Sequence, residues 1–241
     1  MKKTILLLLI IISQSGNAQF WIKKEKLSGN GEVVTESRRM PVYDKLSVTG
    51  PFRVEIVQGK LPEVKVTTDE NLMQAIDIFV KGGRLTIRTH PDFQIEDYTR
   101  MHILVPAEYL SDIKLTGSGN ITAEYVFNWN NLKLSITGSG EMNFETNMKN
   151  ISVSVTGSGE AKLQGQTDKL KISITGSGEV DARKLEARTA EVTITGSGNA
   201  YIKASAKLVA KIFGAGYVYY YEEPDNLKTK ILGSGEVIFK R

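Results

Sequence analysis

The 241 residues include no cysteine. No disulfide can staple the fold and no cysteine can carry a lipid anchor, so burial and backbone hydrogen bonds must hold it together. Histidine is nearly as scarce. His90 and His102 stand in the first half with no further metal-ligand spacing beside them, so no metal site is expected. Helical periodicity is confined to residues 69–76, with Asp69 as the expected N-cap and Leu72 and Ile76 on one face. Long apolar runs are missing too. The one at residues 5–12 is too short to span a bilayer. Lys2 and Lys3 precede it and Gly16-Asn17-Ala18 follows, the pattern of a secretory signal over 1–18. Gln19 is then the mature start, with no membrane span left. Losing two lysines takes the formal net charge from +4 to +2, and no domain-wide basic field for nucleic acid remains. Paired carboxylates or a proton acceptor placed for catalysis in a cleft are not evident either. No catalytic residue, enzyme activity or cofactor is expected.

Glycine, by contrast, recurs at fixed intervals. Thr-Gly-Ser-Gly begins at Thr116, Thr137, Thr156, Thr175 and Thr195, and weaker copies follow at Phe213 and Leu232. The first glycines of these seven corners are spaced 21, 19, 19, 20, 18 and 19 residues apart. A period near 20 signals stacked repeats. Two and four residues before each corner stand Leu115/Ile113, Ile136/Leu134, Val155/Val153, Ile174/Ile172, Ile194/Val192, Ile212/Ala210 and Ile231/Thr229. Four and six after it stand Ile121/Ala123, Met142/Phe144, Ala161/Leu163, Val180/Ala182, Ala200/Ile202, Val218/Tyr220 and Val237/Phe239. Each coil reads as strand, glycine corner, strand and a looser return. Neither strand can bury its apolar face alone, but coils stacked as parallel ladders make one continuous core. The expected fold is all-β: a single-stranded right-handed parallel β-helix with coils of roughly 19–21 residues, the hand following the crossover rule. A twisted antiparallel sandwich of hairpins is the rival, since corner glycines permit it as well.

Ahead of the coils, residues 19–40 are polar and read as a tether. Residues 41–112 read as an entry and cap region, and 113–241 as the coils, together one domain over 41–241. Leu46, Val48, Phe52, Val54 and Ile56 alternate as strands do, and Thr49-Gly50-Pro51-Phe52 looks like a degenerate corner. Ile76, Ile78 and Val80 precede Lys81-Gly82-Gly83-Arg84, and Leu85 and Ile87 follow, a hairpin signal.

These segments resemble the autotransporter adhesin head GIN domain family of secreted bacterial proteins, formerly a domain of unknown function. The resemblance rests on Leu46-Ser47-Val48-Thr49-Gly50-Pro51-Phe52-Arg53-Val54, on residues 69–72, on Gly83-Arg84-Leu85-Thr86-Ile87 and on the repeated Thr-Gly-Ser-Gly-Glu/Asn. It covers about residues 40–241. It implies a single-stranded β-helix in the periplasm or at the cell surface. Unlike a true autotransporter, the chain has no C-terminal stretch long enough for a translocator barrel.

Several ranks of residues repeat on the outside. Glu141, Glu160 and Glu179 take the same corner position in successive coils, between Asn120 and Asn199. They read either as a cation ladder or as solvated side chains paired with lysines such as Lys162, the second being expected because the Gly-Gly-x-Gly-x-Asp calcium pattern is absent. Ser135, Ser154, Ser173 and Thr193, beside Thr116, Thr137, Thr156, Thr175 and Thr195, form hydroxyl ranks better explained by strand preference and turn capping than by ice binding. Tyr201, Tyr217, Tyr219 and Tyr221 share one face near the C-terminal end, the candidate ligand-binding residues. The expected function is that of an exported, non-catalytic, adhesin-like envelope protein (periplasmic, cell-surface or secreted) binding glycan or an envelope protein. A purely structural envelope or matrix protein and a carbohydrate-active enzyme are the alternatives. The apolar residues 237–239 near the chain end also lead to an expected homo-oligomer through the C-terminal coil.

Overall fold

The computed structural model describes residues 24–59, 63–123 and 125–241. The expected signal at 1–18 and the first part of the expected tether, 19–23, lie outside the described residues. Strand makes up 72% of the described residues and helix 3%, so apolar side chains find cover mostly between sheet faces. The N-terminal part supplies β1 (Glu25–Ser28), β2 (Val33–Arg39), β3 (Lys45–Thr49), β4 (Arg53–Gln58) and β5 (Glu63–Asp69). A 3₁₀ helix, Glu70–Ala75, leads to β6 (Ile76–Lys81), β7 (Arg84–Thr89), β8 (Phe93–Asp97) and β9 (Met101–Ala107). The repeats form β10 (Asp112–Gly117), β11 (Asn120–Ala123), β12 (Asn131–Gly138), β13 (Glu141–Gly157), β14 (Glu160–Gly176), β15 (Glu179–Gly196) and β16 (Asn199–Gly214). The last strands are β17 (Tyr217–Tyr220), β18 (Asn226–Leu232) and β19 (Glu236–Phe239).

Successive repeats pair in parallel, which excludes the antiparallel sandwich for this region. Gly117, Gly138, Gly157, Gly176, Gly196 and Gly214 fall in one column. Their φ angles lie between +107° and +136°, a region that glycine enters far more readily than residues with a Cβ. A Cβ on Gly157 would also stand 2.6 Å from the carbonyl oxygen of Gly138, so neighbouring coils touch backbone to backbone at the corner. The outcome is a β-solenoid of about 7 turns with coils about 19 residues apart. Its core follows the alternation: the columns through Leu134/Ile136, Val153/Val155, Ile172/Ile174 and Val192/Ile194 are buried, and so are Met142/Phe144 and Ala161/Leu163.

The returns are tighter than expected. β13 and β14 pair from Glu141↔Glu160 through to Gly157↔Gly176, so the return is itself ladder. Backbone hydrogen bonding asks for no particular side chain, which is why polar returns could join it.

At the N-terminal end the order of coils departs from the order of the chain. β3 lies between β7 and β10, and β4 between β9 and β11. Gly50, with φ +131°, forms the degenerate corner, and its N–H donates to the Thr116 carbonyl at 3.0 Å. Beyond this coil the pairing reverses. β6 runs antiparallel to β7 through a turn with Gly82 and Gly83 at φ +58° and +72°, as the hairpin signal requires. β5 runs antiparallel to β9, and β2 to β5. The 3₁₀ helix between β5 and β6 buries Leu72, Met73 and Ala75.

Three expectations need correction here. From residue 24 onward the tether is ordered structure: β1 pairs with β8 and β2 with β5. Asp69 makes no side-chain cap on the 3₁₀ helix. Its buried carboxylate instead accepts hydrogen bonds from Gly31 N at 2.8 Å, Thr99 N at 2.8 Å and Thr99 Oγ1 at 2.8 Å. The last pair of core columns does not close either: Thr229, Ile231 and Phe239 are exposed, because no further coil of the described structure covers β18 and β19.

Candidate functional site

The strands that follow each corner present one long outer face whose order is set by register. One column runs His102, Arg53, Asn120, Glu141, Glu160, Glu179, Asn199, Tyr217 and Glu236. The next includes Lys162, Asp181, Tyr201, Tyr219 and Ile238. The glutamate row is not left to repel itself. Lys162 Nζ lies 3.0 Å from both Glu141 Oε1 and Glu160 Oε1, the solvated, lysine-paired arrangement. The Glu179 carboxyl is raised above its ordinary value by burial first and then by Glu160 and Asp181. Among the described residues, no group of three His, Cys, Asp or Glu side chains could hold a metal ion. The serine rank is bounded by Lys114 and Lys211, and the threonine rank ends at Phe213, so neither is a pure hydroxyl surface.

The tyrosines do come together. Tyr201 and Tyr219 stack at 5.1 Å between centroids with planes 15° apart, and Tyr217 lies 5.9 Å from Tyr219 at 16°. The guanidinium of Arg183 stands 5.1 Å from the Tyr201 ring centre and Lys240 Nζ 5.4 Å from that of Tyr219. Arg183 comes from the coil before Tyr201 and Lys240 follows the coil after Tyr219, so this is a cation–ring–ring–cation stack. Arg183 is fixed in turn by two hydrogen bonds to Asp181, at 2.9 and 2.6 Å. These bonds hold the Asp181 carboxyl below its usual range. Burial, then Glu179 and Tyr219, push the Tyr201 phenol up. The ring faces of Tyr201 and Tyr219 are therefore spoken for within the protein, leaving edges and hydroxyls to the outside. Tyr221 joins the group through its interaction with Arg183.

A larger feature lies on the return side, and sequence reasoning did not select it. An open groove of about 1010 Å³ is lined by Asn128, Trp129, Asn131, Asn147, Gln166 and Arg188, among others. It crosses about six coil positions, roughly 24 Å at the strand spacing. Trp129 meets Tyr109 edge-on at 5.1 Å and the buried Phe127 at 4.8 Å, which holds the indole at one end. Lys203 is paired with Glu186 at 3.1 Å, and the remaining lining charges, Lys149 and Arg188 against Asp168 and Glu222, also balance. Two signals were available in the chain: the Asn-Trp-Asn-Asn run at 128–131 and the 21-residue spacing of the coil that carries it.

A family model described as "Putative auto-transporter adhesin, head GIN domain" matches residues 42–224. The chain belongs to this family. Solved structures share its fold. A structure from Parabacteroides distasonis described as a putative lipid binding protein is 26% identical with a TM-score of 0.78, over 90% of this chain and 100% of that one. One from Bacteroides fragilis described as a putative adhesin is 18% identical with a TM-score of 0.82, over 89% and 100%. Another described as a putative adhesin, from Parabacteroides merdae, is 22% identical with a TM-score of 0.72, over 90% and 100%. No curated protein matches the chain. Among the described residues of this head GIN chain, no helix is long and apolar enough to cross a membrane.

Proposed function

We propose that this head GIN protein is an exported, non-catalytic, adhesin-like protein of the cell envelope that holds a neutral glycan chain in the return-side groove. The carrying observation is the lining: carboxamides at Asn128, Asn131, Asn147 and Gln166, with Trp129 and Tyr109 at one end and balanced charges elsewhere. Carboxamides offer a donor and an acceptor each, matching sugar hydroxyls, while aromatic rings receive the apolar face of a pyranose. A groove open along the solenoid axis suits an extended polymer. Membership of an adhesin family supports the non-catalytic reading.

Glycan-array screening of residues 19–241, followed by calorimetry, tests it. Trp129→Ala should abolish binding of neutral oligosaccharides and leave the melting temperature within a few degrees. Equal binding by this variant, or turnover of the bound sugar, overturns the reading. The tyrosine face is favoured as a second, protein-contacting surface because its exposed edges carry hydroxyls beside Arg183 and Lys240. Alanine at Tyr217 and Tyr221 should reduce capture of an envelope protein without changing glycan binding. Lipid binding, the description of the Parabacteroides distasonis structure, is not carried over, since the core columns are filled and the grooves are polar.

A further inference from the structure

We propose that a second site, at the opposite end of the post-corner face, binds an acidic sugar residue, carboxylated or sulfated. A depression of about 810 Å³ there is lined by Arg53, Glu55, Tyr98, Arg100, His102 and Asn120, with Ser118 and Thr122 at its edge. Arg53 stands next to His102 on one side and Asn120 on the other in the parallel ladder. The carboxylate lining this site, Glu55, is already committed: its Oε2 lies 3.0 Å from His102 Nε2. Among the described residues, neither Arg53 nor Arg100 takes part in an ion pair. Two arginines without an ion-pair partner among the described residues thus line one polar depression, and guanidinium geometry suits two-oxygen anions, carboxylate and sulfate alike.

The site is also built rather than incidental. Arg100 follows β8 in a short loop that the buried Asp69 carboxylate grips through Thr99 N and Thr99 Oγ1 and through the Arg100 backbone N–H. The same carboxylate accepts from Gly31 N, so the segment after β1 is tied in as well. Tyr98 and Arg100 are therefore presented from a fixed backbone, which lowers the ordering cost of binding. Tyr98 is 43% exposed and offers a ring for the sugar body beside the charged groups. The groove with Trp129 is charge-balanced and shares no residue with this site, so the two would select different sugars.

Calorimetry on residues 19–241 with three probes decides the matter: a heparin-derived hexasaccharide, a hexagalacturonate and maltohexaose. Binding of the sulfated probe, the uronate or both supports the site and names the anion, provided affinity falls with added salt and Arg53→Ala/Arg100→Ala lowers it at least tenfold. Both arginines are exposed, so the double variant should melt with the parent. Trp129→Ala should leave acidic-probe binding unchanged, which separates this site from the groove. Undiminished binding by the double arginine variant, or binding of neither acidic probe, overturns the proposal.

Discussion

Asp69 is fully buried and yet charged, because donors from two distant parts of the chain, residue 31 and residues 99–100, converge on it. Burial alone would push its carboxyl up; the hydrogen bonds from Thr99, Gly31 and Arg100 outweigh that and hold it below the ordinary 3.8. A depressed carboxyl contributes stability that is fully present above its unfolded value and lost as the pH falls through the folded one. Asp69→Asn replaces an acceptor with an amide N–H facing a donor, and should cost on the order of 2 kcal/mol at pH 7 in urea denaturation. Below pH 3.8 the parent should lose stability faster than the variant. Parallel pH curves would mean that Asp69 carries no charge in the fold. The corner glycines give a second check. Gly157→Ala places a methyl 2.6 Å from the Gly138 oxygen at φ +109°, and should cost about 2 kcal/mol or more, whereas Ser158→Ala, on the same corner, should stay within about 0.5 kcal/mol. An alanine at 157 tolerated as well as one at 158 would show that the coils do not pack through the corner backbone.

Among the elements, the column Ile136, Val155, Ile174 and Ile194 is the one most directly read from the repeat, and each member is no more than 1% exposed. Ile174→Asp would leave an unpaired charge between two paired strands and should lower stability by several kcal/mol. A variant melting within a degree or two of the parent would remove the column from the core. The returns were less legible for a physical reason. Glu145-Thr146-Asn147 and Gln164-Gly165-Gln166 show no apolar alternation, but their backbones still find partners in the coil on either side. Residues 25–39 were misread on the same ground. β2 is mostly exposed and polar, and it is held by its antiparallel ladder to β5 rather than by burial.

For the molecule as a whole, the two ends of the stack differ. Antiparallel β2, β5 and β6 close one end, while β18 and β19 leave Leu227, Ile231, Leu232 and Phe239 exposed at the other. Exposed strand edges recruit further strands. Antiparallel pairing of β19 with a second copy about Ile238 would set Glu236 opposite Lys240 of that copy, a self-complementary arrangement. Residues 19–241 should therefore be dimeric in light scattering at high micromolar concentration, and Ile238→Lys should return them to monomers. A monomeric parent sinks this assembly, and a dimer indifferent to Ile238→Lys places the interface elsewhere.

The glycine period and the flanking alternation determined by themselves that the chain would coil, where each corner would fall and which aliphatic residues would stack inside every coil but the last, where Ile231 stays exposed. Those properties follow from local geometry repeated at a constant interval, so one coil predicts the next. The threading of β3 and β4 between later strands, the transfer of Asp69 from helix cap to loop anchor and the sealing of Tyr201 and Tyr219 by Arg183 and Lys240 were decided only in three dimensions. So were the groove beside Trp129 and the placing of Arg53 and Arg100 around one depression. Each depends on which coil becomes the neighbour of which, and pairing between segments tens of residues apart is set by the closure of the whole stack rather than by any local pattern.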